Sequence, residues 1–166
     1  MKTASALAIA LFALSGAVIA DASAQSPSAS NALLLLPPAN RIVGTWEFQV
    51  HIFDCDTGQT RVRFRAASVF NAGGTMVDTN NAPPTTRGPA FGVWNYDRRN
   101  RNWTAQMRLY RYNPDGSFAG VNEVRRTLTL APGDDQMTEA FTGQILGPNE
   151  EVLAETCGEG EGTRSL

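Results

Sequence analysis

The chain is short of the residues that most enzyme chemistry draws on. Among its 166 residues there is one His, His51, one Lys, Lys2, and one pair of Cys, Cys55 and Cys157. A single imidazole excludes a cluster of His ligands, and two thiols exclude a four-Cys zinc site. No metal and no cofactor is therefore expected. Schiff-base chemistry is excluded once the N-terminal segment carrying Lys2 is removed. There is no Gly-x-Ser-x-Gly elbow, and a Ser-His-Asp triad would have to recruit His51. Positive charge is also not in excess: the formal net charge is −2. Proteins that hold phosphate backbones carry a basic balance, so nucleic acid is not an expected partner.

What is present begins with an export pattern. Lys2 supplies a positive start, residues 4–20 are small and apolar, and Ala22-Ser23-Ala24 forms an A-x-A cleavage signal before Gln25. The pattern predicts a signal peptide over residues 1–24, cleaved after Ala24, and a secreted or periplasmic protein. The apolar run is too short and too Ala-rich for a good transmembrane helix. No second long apolar run exists, so no membrane span is expected after cleavage. Residues 25–40 read as a flexible Ser/Pro/Leu linker, in which Pro37 and Pro38 forbid helix continuation. The folded domain is assigned to residues 41–166.

Export changes the meaning of the cysteines. An even pair in an oxidising compartment is a disulfide by default. Cys55 and Cys157 stand 102 positions apart. Closing so long a loop stabilises by about 4–5 kcal/mol on chain-entropy grounds.

From Ile42 onward no sustained 3.6-residue period is found. Short alternating segments recur instead, separated by turn residues. In the first, Trp46, Phe48, Val50 and Ile52 share one face while Glu47, Gln49 and His51 share the other. Asp54-Cys55-Asp56-Thr57-Gly58 reads as a turn. Further strands are expected over residues 60–70, 75–79, 90–96, 103–112, 117–130, 136–145 and 152–164, the last weakened by Gly158, Gly160 and Gly162. Asn113-Pro114-Asp115-Gly116 is a strong hairpin turn. Eight sequential hairpin-linked strands indicate an all-β fold, an eight-stranded antiparallel up-and-down barrel that leaves no edge open. A β-sandwich is the alternative. A Cys55–Cys157 bridge between neighbouring first and last strands would set Phe48 opposite Arg164 and Trp46 opposite Leu166. Cys55 has the wrong parity for the Trp46 face, so the first strand must bulge or end before it.

Gly44-Thr45-Trp46 at the start of the first strand and Arg164 at the end of the last resemble the calycin superfamily: lipocalins, fatty-acid-binding proteins and avidins. In lipocalins the Trp of a G-x-W motif plugs the closed end of the barrel and an Arg packs across it. The resemblance implies the same structural role for Gly44, Trp46 and Arg164. A guanidinium over an indole is worth about 0.5–2 kcal/mol. No lipocalin-type Thr-Asp-Tyr motif is found. The chain also resembles small exported bacterial β-barrel proteins with a Gly-Thr-Trp start and a Cys and Arg near the end, a likeness that bears on fold and not on activity.

Candidate ligand-binding residues follow from the middle hairpins. Trp94, Tyr96, Trp103, Tyr110 and Phe118 could line a pocket for an apolar or aromatic molecule, with Met107 and Phe141. Leu109, Met137 and Ile145 are further candidates. Glu123 and Arg125 share one face of the sixth strand and, if inward, would orient a ligand. His51 and the row Arg61, Arg63 and Arg65 read as outer surface.

The leading expectation, carried by the calycin resemblance, is a protein that binds a small hydrophobic molecule without chemistry. The alternative is a metal-free cyclase or isomerase resembling the allene-oxide-cyclase or dirigent type, acting through cavity shape. A third is a structural or inhibitory protein with a filled barrel. A buried Glu/Arg set in a cavity would favour the enzyme, a wholly apolar cavity the carrier, and no cavity the third.

Overall fold

The computed structural model describes residues 36–165. The signal-peptide and cleavage-site assignments, the linker up to residue 35, and Leu166 lie outside the described residues. A short 3-10 helix, Pro38–Ile42, leads into eight strands: β1 Gly44–Phe53, β2 Thr60–Phe70, β3 Thr75–Asn80, β4 Arg87–Asp97, β5 Asn102–Tyr112, β6 Phe118–Leu130, β7 Gln136–Leu146 and β8 Val152–Ser165. Every strand pairs antiparallel with its sequence neighbour, and β1 pairs with β8. The sheet is a closed up-and-down barrel, and the sandwich alternative falls away.

Closure rests on the β1–β8 register. Trp46 stands opposite Arg164 and Phe48 opposite Gly162, with Phe53 opposite Cys157. The register inferred from the cysteines is thus displaced by one pleat repeat. Cys55 is not in a strand; it sits in the turn after β1, beyond its last pair, and reaches diagonally to Cys157 with Cα atoms 5.1 Å apart. Because side chains alternate with period two, that displacement left every inward and outward assignment on β1 intact.

The two ends of the barrel differ. At one end the short helix caps the interior and Trp46 is fully buried beneath it. Its indole donates to the Ile42 carbonyl at 2.8 Å, and the Arg164 guanidinium lies 4.2 Å from the ring centroid. Arg164 also donates to the carbonyls of Val43 (2.8 Å), Arg41 and Asp134. One side chain therefore satisfies three backbone acceptors and covers the plug. Gly44 sits at φ 135°, and a Cβ there would come within 2.8 Å of Arg164 Nη1. The G-x-W glycine is thus required both by its backbone angle and by the space Arg164 occupies. Trp103 ties the helix down from β5, its indole donating to Ala39 at 2.9 Å. Packed structure therefore begins at Pro38, inside the stretch assigned to the linker.

The glycines of β8 do not merely weaken a strand. Gly158, Gly160 and Gly162 face inward, and their missing side chains make room for neighbours. A Cβ at Gly162 would lie 2.6 Å from the Phe48 ring, one at Gly160 2.6 Å from Glu139, and one at Gly158 2.1 Å from the Phe141 ring. Large residues on β1 and β7 fill the barrel from the flanking strands.

Candidate functional site

The half of the barrel away from Trp46 encloses a cavity of about 220 Å³. That exceeds the roughly 150 Å³ that can hold benzene and falls below the ~300–1,000 Å³ of drug-sized sites. Its walls come from alternating positions of the strands: Val50 and Ile52 on β1, Phe64 on β2, Met107 and Leu109 on β5, Val124 on β6, Phe141 and Ile145 on β7.

The floor is charged. Arg126, Glu139, Asp78 and Ser68 are all buried. Arg126 Nε donates to Glu139 Oε2; Arg126 Nη1 donates to Ser68 Oγ at 3.1 Å and to Asp78 Oδ2 at 3.4 Å. Ser68 Oγ donates to Asp78 Oδ2 at 2.7 Å, and Arg87 Nη2 lies 3.5 Å from Asp78 Oδ1. Below this network the Arg126 guanidinium stands over Phe48 at 4.8 Å and Phe70 at 5.9 Å. The network therefore separates the aromatic plug from the cavity. Burial raises the Glu139 carboxyl above its ordinary range; the Arg126 charge and hydrogen bond oppose that rise, and Asp78 adds to it.

Asn80, Thr86, Glu123, Gln144 and Thr156 add polar groups to the lining, and two others, Arg111 and Asn122, carry buried atoms without a partner. Arg111 Nη2 donates to the carbonyls of Leu146 (3.0 Å) and Ala119 (3.2 Å), while its buried Nε has no partner. Asn122 Oδ1 is buried and likewise unpaired. Among the described residues, no group of three or more His, Cys, Asp or Glu could hold a metal ion.

The structure sorts the candidates from sequence into three groups. Met107 and Phe141 line the cavity, as do Leu109 and Ile145. Trp94, Trp103 and Tyr96 belong to the closed half instead. The Trp94 indole is held by the carbonyls of Asn71 and Thr75, and Tyr96 packs 5.0 Å from Trp103. They close the barrel and do not reach the cavity; Met137 is buried in the same core. Tyr110 and Phe118 are on the outside, 57% and 44% exposed, edge to face at 6.1 Å.

Glu123 and Arg125 are the clearest correction. Met107 faces in and stands opposite Val124, so the even positions of β6 point inward and the odd ones outward. Arg125 is exposed, and the Glu123 carboxylate pairs on the outer surface with Arg108 at 3.0 Å. Both side chains have outward parity, and Glu123 still contributes to the cavity lining while Arg125 does not. The inward charge on that strand is Arg126, flanked in parity by Val124 and Leu128. Glu139 between Met137 and Phe141 repeats the pattern, as does Asp78 after Met76. A lone charge at an apolar parity position was the signal that could have found all three.

His51 lies on the outer face as expected, bonded to Thr60 Oγ1 at 2.9 Å and within 3.3 Å of Glu159 Oε1. Asp54 serves the turn as read: its Oδ1 accepts from the Thr57 backbone at 3.0 Å and its Oδ2 from Arg61. Comparison of the chain with family models, curated proteins and solved structures finds no match in any of the three.

Proposed function

We propose that this chain is an exported binding protein that holds a small, largely apolar molecule in the open half of its barrel without reacting with it. The cavity of about 220 Å³, with Val50, Ile52, Phe64, Met107, Leu109, Val124, Phe141 and Ile145 in its walls and a charged network at its floor, carries the reading. An empty apolar space costs contacts that a filled barrel would keep, and it counts against the structural-protein alternative. The Cys55–Cys157 bridge supports export. The Trp46–Arg164 stack supports the calycin likeness.

One observation favours a second reading. A buried Glu/Arg set lies in the cavity, and burial raises the Glu139 carboxyl, the direction in which a carboxylic acid becomes a better proton donor. That suits a cyclase or isomerase. Binding remains the first choice because the set is spent on itself. Arg126 Nε and Nη1, both Asp78 oxygens and the Ser68 hydroxyl are all engaged within the network or by Arg87.

Native mass spectrometry of the protein recovered from its export compartment tests both. A single small molecule released on denaturation, and unchanged on prolonged incubation with fresh protein, supports the carrier. A molecule that the protein converts to an isomer, with conversion lost in Glu139→Gln, supports the enzyme. The bare mass alone, less two hydrogens for the disulfide, overturns the carrier reading.

A further inference from the structure

Where the barrel closes, its outer face carries two rows of opposite charge. Every second side chain of a strand points outward. On β8 these include Glu159 and Glu161, and on β2 Arg63 and Arg65, all exposed. β1 runs between them with Glu47, Gln49 and His51 outward. The register aligns the rows. Gln49 stands opposite Glu161 on one side and Arg65 on the other, and His51 stands opposite Glu159 and Arg63. The rows are therefore about 10 Å apart, two strand spacings, and within one protomer they do not meet. The Glu159 carboxylate lies 3.3 Å from His51, and among the described residues Arg63, Arg65 and Glu161 form no ion pair. The outward positions of β3 and β7, the next strands on either side, carry no charge. Each row also sets like charges about 7 Å apart along its strand, a repulsion that an opposite row laid over it would relieve.

We propose that this face binds a second copy of the chain, in a weak dimer whose two-fold axis runs along β1. Charge complementarity selects both the occupant and the axis. A half-turn about a line parallel to β1 and above it lays β2 of each copy over β8 of the other and keeps every row at its own height. Arg63 then meets Glu159 of the second copy and Arg65 meets Glu161, each twice by symmetry. A two-fold across the strands would lay arginine on arginine and glutamate on glutamate. Packed sheets stand about 10 Å apart and cross at about 30°, within reach of Arg and Glu side chains. On the axis Gln49 and His51 meet their own copies, His51 already held by Thr60 and Glu159. Glu47 meets its copy too, and the Arg65 side chains of both protomers, on the next outward row, offset that repulsion. Exposed ion pairs are worth little singly, and complementary rows fix orientation more than affinity. The association is therefore weak and sensitive to salt.

The test is sedimentation equilibrium of the disulfide-bonded protein. A monomer–dimer equilibrium is expected, its Kd rising about tenfold between about 50 mM and about 500 mM NaCl. Two double variants reverse one row each: Arg63→Glu with Arg65→Glu, and Glu159→Arg with Glu161→Arg. Each alone should stay monomeric, since both of its rows then carry one sign. Their equimolar mixture should dimerise, because every row again faces its opposite. Gln49→Cys, on the axis, should be joined to its own copy by a short bismaleimide, and Thr138→Cys on β7 should not. A wild-type protein that is monomeric at about 1 mM in low salt overturns the proposal. So does a dimer indifferent to salt, or one that either double variant retains. Assemblies that grow past two, or cross-linking at Thr138→Cys and not at Gln49→Cys, overturn the two-fold along β1. The salt dependence and the cross-link rely on neither charge-reversed variant.

Discussion

The two halves of the barrel are held by different means. Around Trp46 the interior is full: Phe48, Phe70, Met76, Leu128 and Met137 are almost completely buried, and Arg164 closes the end over the indole. Beyond Arg126 the interior is open, and strand closure at that end is reinforced covalently by Cys55–Cys157. Packing holds one half; a staple and the sheet's own hydrogen bonds hold the other. A binding cavity needs such a division, because space left for a ligand is space in which no side chain contributes contacts. The buried ionic network marks the boundary, with aromatic rings on one side and the cavity on the other.

That contrast can be broken in several ways. Replacing both cysteines by Ala should have the largest effect, a loss of about 4–5 kcal/mol from the loop-closure term, read from urea unfolding. Hydrogen exchange should rise at the Phe53 and Cys157 ends of β1 and β8 and stay slow around Trp46. Uniform loss of protection across both strands would deny that the halves are held differently.

The β8 glycines give a sharper test. Gly162→Ala forces a methyl against Phe48 and Met137, which have nowhere to move, and should cost about 1–3 kcal/mol. Gly158→Ala makes the closer clash, with Phe141, but that ring borders the cavity and can swing into it. It should cost less than Gly162→Ala despite the shorter approach. The reverse order in thermal unfolding would show that the open half is as tightly packed as the other.

At the boundary, the sign of the pH dependence is diagnostic. The Glu139 carboxyl is raised by burial in the folded state. The folded protein therefore binds more protons than the unfolded chain between the ordinary Glu range and the raised value, and stability falls as pH rises through that window. Glu139→Gln should remove this contribution. Exposed Asp97 and Asp115, whose carboxyls are lowered by hydrogen bonds from Asn100 and Ser117, act in the opposite sense. Their contribution is present above the ordinary Asp range and is lost as pH falls. A wild-type profile that matches Glu139→Gln at every pH above 4 would remove Glu139 from the boundary.

The smallest effects belong outside. Arg125→Ala and Glu123→Gln should each change stability by no more than about 0.5 kcal/mol in urea unfolding. A loss several times larger in Arg125→Ala would show that its side chain is packed and not on the outer surface.

Much of the fold was legible because its causes are local. Alternation of apolar and polar residues and turn clusters such as Asn113-Pro114-Asp115-Gly116 mark the strands to within a few residues of their ends, apart from the earlier start of β4 at Arg87. The Trp46–Arg164 pair was legible from its motif, while the register inferred from the cysteines placed Arg164 one pleat repeat away, opposite Phe48. The cavity was only partly so. Met107 and Phe141 were found as apolar residues of suitable size. The Trp and Tyr candidates were wrong for the cavity because aromatic content says nothing about height along the barrel axis. Trp94 and Trp103 face inward at the wrong end, and Tyr110 has outward parity.

The sequence by itself determined the strands and their order, since period-two patterning and turn chemistry act over neighbouring residues, and two cysteines admit only one intramolecular pairing. Only the tertiary structure decided which parity of β6 faces inward, that Gly158, Gly160 and Gly162 receive side chains from β1 and β7, and that Asp78, Arg126 and Glu139 meet on one floor. Those outcomes depend on the register between strands and on volume shared among residues far apart in the chain. No local pattern encodes the space that their packing leaves empty.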